Sequence, residues 1–169
     1  LPPKRDVGRP RLPVDRAFSI AGFGTVVTGT LIDGKLTIGQ EVELVPGGRE
    51  CRIRGIQTHK KKLEEAPPGT RVAVNLSGIA PEDIQRGQVL TTRGWLKPTI
   101  ALDARLKVVA NYPSALVHHA AVTFHSGTAE ATARVRLLES TEAQPGESTW
   151  AQVRLDHPLP LVKDDYFII

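Results

Sequence analysis

The stretch from residue 13 to residue 30 decides the fold, and it reads Pro13-Val14-Asp15-Arg16-Ala17-Phe18-Ser19-Ile20-Ala21-Gly22-Phe23-Gly24-Thr25-Val26-Val27-Thr28-Gly29-Thr30. Strict alternation places Val14, Phe18 and Ile20 on one face of a first strand. The glycines that follow permit tight turns that β-branched residues resist, and Val26-Val27 supplies a second, buried strand. The stretch therefore predicts two strands joined by a tight turn at Gly22-Phe23-Gly24.

The same alternation of apolar and polar residues continues through the rest of the chain, with Gly and Pro between the runs and no window that favours a helix. The alternating runs are Val42 and Leu44; Val72, Val74 and Leu76; Leu102, Ala104, Leu106 and Val108; Ala133, Val135 and Leu137; Ala151, Val153 and Leu155. Polar residues such as Arg71 and Asn75, or Asp103, Arg105 and Lys107, then share the opposite face of their strand. This pattern predicts an all-β fold of two consecutive small antiparallel β-barrels.

The chain divides into three segments by composition. Residues 1–13 hold four prolines and four basic residues, which predicts an extended linker, and a chain that opens on a linker is expected to be part of something longer. Gly94, Trp95 and Pro98 interrupt the strand pattern. We therefore predict a first barrel over residues 14–93 and a second over residues 94–169.

Composition limits the class of protein. The chain has 169 residues, 40% of them hydrophobic, and a formal net charge of +4. This small positive excess is compatible with an anionic partner or with solubility alone. The single cysteine, Cys51, excludes an internal disulfide framework and a cysteine-rich zinc site. No run reaches the roughly 20 apolar residues of a membrane span, so we expect a cytoplasmic protein without a membrane partner.

Residues for catalysis are missing. Nucleotide phosphates need glycines followed by Lys and Ser or Thr, and no such motif occurs, so we predict no catalytic residue and no enzyme activity for this chain. His118, His119 and His125 are candidate metal ligands, but no cysteine or fixed carboxylate partner accompanies them, and we predict no metal site.

The stretch of residues 13–30 closely resembles the opening of the second domain in translational GTPases. Segments 36–42, 52–57, 68–76 and 86–90 follow at fitting distances. In the second half, residues 116–121 and 125–135 resemble the third domain of the selenocysteine-specific elongation factor family. The resemblance implies that the chain holds these two barrels, with the second incomplete because the family continues beyond Ile169.

The resemblance also implies partners and a site. In this family a preceding domain binds GTP and Mg²⁺, the second domain helps to hold the aminoacyl end of the tRNA, and the whole factor brings selenocysteinyl-tRNA to the ribosome. No cofactor is then expected in this chain itself. Asp15, Arg16 and Arg71 match the family's basic selenocysteine pocket. Strict alternation places Arg16 opposite Asp15, so both line one pocket only if the strand is irregular.

The densest positive cluster is the run His59-Lys60-Lys61-Lys62, which we place between strands. These residues are candidate contacts for tRNA phosphates. The alternative interpretation is a solvated loop, since Glu64 and Glu65 follow immediately and offset the charge.

Two other functions stay open at this point. The first is the same region of a general elongation factor or of an initiation-factor subunit, against which the Asp15-Arg16 pair and the His118-His119 segment discriminate. The second is a stand-alone β-barrel protein-interaction module that uses Trp95, Trp150 and the basic run. A phosphate-binding motif encoded upstream of Leu1 would exclude that module.

Overall fold

The computed structural model describes residues 6–59 and 61–169, and it is nearly all β. The predicted all-β class is therefore confirmed. The strands, in chain order, are β1 (Arg11–Ile20), β2 (Gly24–Thr30), β3 (Leu36–Thr37), β4 (Glu41–Val45), β5 (Arg49–Thr58), β6 (Lys61–Leu63), β7 (Glu65–Ala66), β8 (Arg71–Ser77), β9 (Val89–Thr92), β10 (Thr99–Lys107), β11 (Leu116–Val117), β12 (Ala120–Ser126), β13 (Ala129–Leu137), β14 (Glu142–Ala143) and β15 (Ser148–Leu159). One 3-10 turn, Pro81–Asp83, precedes β9. No helix in the described ranges has the length and apolar character that a membrane crossing requires.

The first compact unit is a closed barrel. It comprises the described residues up to Pro98 together with Ser126–Ala129 and Pro160–Tyr166. Its strands pair in the order β4-β9-β1-β2-β8-β5, and β5 pairs back with β4, which closes the ring. The interior is filled by the alternating apolar residues of these strands, including Leu12, Val27, Leu44, Ile53, Ile56, Val74 and Leu90. The predicted barrel is thus confirmed, with β6 added at the free edge of β5.

A β-bulge at Asp15 changes which residues of β1 face the interior. Val14 pairs with Gly29, and Arg16 pairs with Thr28, so Asp15 is an extra residue on β1. A bulge shifts the alternation of a strand by one position. The prediction that Val14, Phe18 and Ile20 share one face is therefore wrong: Val14 is fully buried, whereas Phe18 and Ile20 are 39% and 42% exposed.

Strand β1 begins inside the predicted linker. Arg11 pairs with Thr91 and Pro13 with Val89, and Leu12 is fully buried in the barrel core. The last three residues of the predicted linker therefore belong to the barrel. The extended conformation was predicted, but burial of Leu12 and pairing with β9 make this segment part of the barrel.

Gly29 is required by a close approach between β1 and β2. A Cβ atom at Gly29 would lie 2.2 Å from the carbonyl oxygen of Pro13, and backbone cannot move aside as a flexible side chain can. We expect Gly29→Ala to lower the free energy of unfolding by about 1–3 kcal/mol, the usual cost of overpacking. Urea unfolding measures the change.

Gly55→Ala is the matched control for this substitution. A Cβ atom at Gly55 would meet only the Cβ atom of Asn75, at 3.9 Å, which is an ordinary contact. We expect the control to be neutral or slightly stabilising, because alanine restricts the unfolded chain. Equal losses for the two variants would contradict the role assigned to the Gly29 contact.

Cys51 is a packed thiol on β5. It is 7% exposed, and burial raises its pKa to about 11. At pH 8 on the order of one thiol in a thousand is then ionised, and only the thiolate reacts. We expect a thiol reagent to label the native chain far more slowly than the urea-unfolded chain. Equal labelling rates would show that Cys51 is accessible in the native state.

The second compact unit comprises Thr99–His125, Glu130–Leu159 and Phe167–Ile169. Its main sheet has the order β10-β15-β13-β12, and β11 pairs with β14 in a separate ribbon. Leu106, Val135, Leu137 and Ala151 are buried on the inner face. Within the described part of the chain no pairing joins β10 to β12, so this sheet is open.

Candidate functional site

The candidate site lies on the outer face of β1, β2 and β8, which are neighbours in the first barrel. Arg16 on β1 pairs with Thr28 on β2, and Thr28 pairs with Ala73 on β8. The adjacent row of cross-strand neighbours contains Val27 and Val74, both fully buried in the core. Because neighbouring residues of a strand point to opposite faces, Arg16, Thr28 and Ala73 face outward.

The bulge brings Asp15 to the same outer face. The Asp15 Oδ2 atom accepts a hydrogen bond from Nη1 of Arg71 at 2.5 Å. The two residues lie on strands that flank β2, since Arg71 pairs with Thr30. Asp15 and Arg71, both predicted as site residues, are therefore in direct contact, and Arg71 lies on the outer strand face as expected.

This ion pair contributes little to stability. The Arg71 side chain is 60% exposed and that of Asp15 is 25% exposed, and such pairs contribute about 0–1 kcal/mol because water screens the charges. A guanidinium carries five N–H donors, so the contact with Asp15 orients Arg71 and leaves other donors for a ligand.

Arg16 is exposed beside this pair, and no ion pair of its side chain occurs among the residues described. The irregular strand needed for Asp15 and Arg16 to share a face is present, because the bulge makes both point outward. Three charged groups with a net charge of +1 thus lie on one outer face.

Thr28 is a residue of this site that sequence reasoning missed. Its Oγ1 atom is buried and has no hydrogen-bond partner among the described atoms. A buried hydroxyl without a partner is costly. In the next row Phe18 pairs with Val26, which places apolar surface beside the charges. The only sequence signal was a threonine within a valine-rich strand.

The predicted basic run lies near Arg71. The Thr58 hydroxyl donates a hydrogen bond to the Arg71 carbonyl oxygen at 2.8 Å, and His59 follows in a turn. The placement of the lysines between strands is wrong for Lys61 and Lys62, which form part of β6 and pair with Thr58 and Gln57. This edge strand is exposed, and edge lysines also block unwanted strand pairing. Lys60 lies outside the described residues.

The glycine-rich stretch forms the tight turn that its composition predicts. The Phe23 N–H donates to the Ile20 carbonyl oxygen at 2.9 Å, and Gly22 and Gly24 have φ values of +78° and +84°. Asn75 donates from Nδ2 to the Phe23 carbonyl oxygen at 2.5 Å. This bond fixes the turn against β8.

The histidines of the second unit form a ring contact. The centroids of His118 and His119 are 4.0 Å apart. The pKa of His119 is lowered by the electrostatic effect of the neighbouring His118, then by burial and by the charges of Arg134 and Arg136. Within residues 6–59 and 61–169 no group of three or more His, Cys, Asp or Glu side chains is placed to hold a metal ion.

Two protein-family models match the chain. The model described as elongation factor Tu domain 2 matches residues 24–91. The model described as the beta-barrel domain of the selenocysteine-specific elongation factor matches residues 103–169. The first match covers most of the barrel strands that carry the candidate site, and the second covers most of the open sheet.

Curated relatives agree with these matches. The selenocysteine-specific elongation factor of Desulfomicrobium baculatum is 42% identical over 159 residues, which are 94% of this chain and 25% of that protein. Elongation factor 1-alpha of Pyrobaculum aerophilum is 38% identical over 82% of this chain and 32% of its own length. The same factor of Pyrobaculum islandicum is 37% identical over 87% and 34%. The chain spans a quarter to a third of the length of these relatives.

It belongs to the selenocysteine-specific elongation factor family, of which it contains the domain 2 barrel and the β-barrel domain that follows.

Proposed function

We propose that this chain is the tRNA-binding and inter-domain part of a selenocysteine-specific elongation factor, which delivers selenocysteinyl-tRNA to the ribosome in a GTP-dependent manner. The observation that carries the proposal is the charged outer face of the first barrel. There the bulge at Asp15 brings Asp15, Arg16 and Arg71 to one face, with Asp15 and Arg71 in direct contact.

The chemistry of selenocysteine fits this face. A selenol is mostly ionised at neutral pH, whereas a serine hydroxyl is not, so guanidinium groups favour the selenolate through charge-assisted hydrogen bonds. Such a contact is worth about 1.5–3 kcal/mol, against roughly 1 kcal/mol for a neutral hydrogen bond. In this proposal Arg71, oriented by Asp15, contacts the selenium, and Arg16 adds positive charge.

The remaining contacts follow from the same proposal. His59, Lys61 and Lys62, near Arg71, are candidate contacts for tRNA phosphates. GTP and Mg²⁺ bind to another domain of the parent protein, which carries the GTPase activity, and this chain contributes no catalytic residue. The barrels relay the nucleotide state by rigid-body rearrangement in the cytoplasm.

A general elongation factor or an initiation-factor subunit is the main alternative. The 37–38% identity to elongation factor 1-alpha supports a shared architecture. The presence of Arg16 beside Asp15 argues against this alternative. A neutral aminoacyl group makes no charge-assisted contact with an added arginine at this position. A stand-alone interaction module receives no support from the family matches.

Nucleotide-dependent binding tests the proposal. The full-length parent protein is titrated into labelled selenocysteinyl-tRNA in the presence of GTP or GDP. We expect tight binding with GTP and weaker binding with GDP. Equal affinity with GTP and with GDP, or no binding of selenocysteinyl-tRNA, would overturn the proposed delivery function.

A further inference from the structure

The outer face around Arg71 presents its charges on an open surface. The Arg71 side chain is 60% exposed, and that of Asp15, its partner, is 25% exposed. Arg16 is exposed as well, and the positions that follow it across the sheet, Thr28 on β2 and Ala73 on β8, carry small side chains. Among the described residues, this face therefore offers a ligand cations above a floor of small side chains.

Such a surface distinguishes ligands by charge better than by size. Pockets that select by shape enclose most of the surface of their ligand. Even then, side chains that differ by one methylene group are separated by only about 10–200-fold. Sulfur and selenium differ in size by less than a methylene group, so the open face around Arg71 is expected to separate them by size only weakly.

Ionisation is the property in which selenocysteine, cysteine and serine differ most. A selenol is mostly ionised at neutral pH, a cysteine thiol has an ordinary pKa of about 8.5, and a serine hydroxyl stays neutral at both of these pH values. A guanidinium group donates charge-assisted hydrogen bonds to a thiolate as it does to a selenolate. The thiol offers that anion only after its proton has passed to the solvent.

We propose that this face recognises a chalcogenolate anion, whether of selenium or of sulfur, and that cysteinyl-tRNA in its thiolate form is a second ligand of the parent protein. The inference rests on the proposed function, because it takes the face around Arg71 as the aminoacyl site. It makes the discrimination between selenocysteine and cysteine depend on pH. Discrimination against serine stays independent of pH.

Other charged groups near this face must be separated from the titration of the ligand. They are Asp15 and Arg16 on β1, Arg71 on β8, His59 after β5, and Lys61 and Lys62 on β6, whereas β2 contributes no charged side chain. A His59→Gln background removes the imidazole as a source of pH dependence. Any remaining titration of the protein acts on all three aminoacyl groups and cancels in the ratio of two affinities.

The test uses the full-length parent protein with GTP in this background. Selenocysteine, cysteine and serine are attached to the same fluorescent tRNA body through a stable amide to a 3′-amino terminus, which withstands alkaline pH. Dissociation constants are measured under reducing conditions from about pH 6.5 to about pH 9, a range that spans the ordinary pKa of the thiol.

We expect cysteinyl-tRNA to bind about 2–30-fold more weakly than selenocysteinyl-tRNA near pH 6.5, where the thiol is neutral. Near pH 8.5 about half of the thiol is ionised, so the difference should shrink to less than about twofold. Seryl-tRNA should keep its full difference from selenocysteinyl-tRNA over the whole range.

Substitutions of Arg71 assign this pH dependence to its guanidinium. Arg71→Gln should bind cysteinyl-tRNA with a difference from selenocysteinyl-tRNA that no longer changes with pH, because the cation is lost. Arg71→Lys should retain the change, since an ammonium group also attracts a thiolate. Arg54→Ala, which removes an exposed arginine of β5, is the matched control and should behave like the background protein.

The outcomes separate this inference from the proposed function. A preference for selenocysteinyl-tRNA over seryl-tRNA, combined with a cysteinyl difference that stays constant with pH, would overturn the inference and leave the proposed function standing. The same holds if Arg71→Gln keeps the pH dependence. Equal binding of selenocysteinyl-tRNA and seryl-tRNA would overturn both.

Discussion

Replacing Arg11 with methionine is expected to lower the free energy of unfolding of the first barrel by about 3–5 kcal/mol. Arg11 is 1% exposed, and its Nε atom donates to Asp33 Oδ2 at 2.7 Å. Its Nη1 and Nη2 atoms donate to the two carboxylate oxygens of Asp165 at 2.7 and 2.8 Å. Asp33 is fully buried, so loss of Arg11 removes a cation that compensates a buried carboxylate.

The titration of Arg11 agrees with this arrangement. Burial acts to lower the pKa of the guanidinium, but the hydrogen bonds and charges of Asp165 and Asp33 outweigh it and raise the pKa. The guanidinium is therefore charged where it contacts the two carboxylates.

Arg49→Met is the control for this substitution. Its ion pair with Asp83 is exposed, with side chains 58% and 40% accessible, so the loss should be about 0–1 kcal/mol. Adding Asp33→Asn to Arg11→Met should restore part of the stability, because the buried charge is then removed as well. Urea unfolding followed by Trp95 fluorescence, in a Trp150→Phe background, measures all three. A loss below about 1 kcal/mol for Arg11→Met would contradict the account.

Replacing Arg71 with alanine is expected to remove most of the preference of the parent protein for selenocysteinyl-tRNA over seryl-tRNA. The difference between a charge-assisted and a neutral hydrogen bond, about 0.5–2 kcal/mol, corresponds to a factor of about 2–30 in affinity. Only the selenocysteinyl ester should lose affinity, since serine makes no charge-assisted contact. Arg71 is 60% exposed, so the substitution should leave the barrel folded.

Arg54→Ala is a matched control on the same barrel. Arg54 is exposed on β5 and donates from Nε to Ser77 Oγ at 3.0 Å, outside the rows that carry Arg71. We expect this variant to keep the preference. Asp15→Asn should give an intermediate loss, because it frees Arg71 without removing its charge. Dissociation constants for the two tRNAs, measured with GTP, decide between these expectations.

Local pattern was sufficient to predict the long strands that show alternation, the tight turn at Gly22-Phe23-Gly24 and a barrel in the first half, whereas the short strand β6 was missed. Each rests on spacing within a few residues: alternation fixes the faces of β8, and glycines with positive φ fix the turn. The outward position of Arg71 followed from the same alternation. Where a strand is regular, sequence alone places its side chains.

The features that were missed depend on partners far away in sequence. Arg11 lies in the segment of prolines and basic residues that was predicted as a linker. Its carboxylate partners lie 22 and 154 positions further along the chain. The bulge at Asp15 arises from pairing between β1 and β2, and alternation alone predicts a regular strand there. The Asp15–Arg71 contact spans 56 positions.

The most direct test of the central claim is protection of the aminoacyl ester against hydrolysis by the full-length parent protein with GTP. Selenocysteinyl-tRNA and seryl-tRNA with the same tRNA body are compared over a range of protein concentrations. The account predicts protection of the selenocysteinyl ester at protein concentrations about 2–30-fold lower than those that protect the seryl ester. Equal protection of the two esters would contradict selenocysteine recognition and favour a general elongation factor.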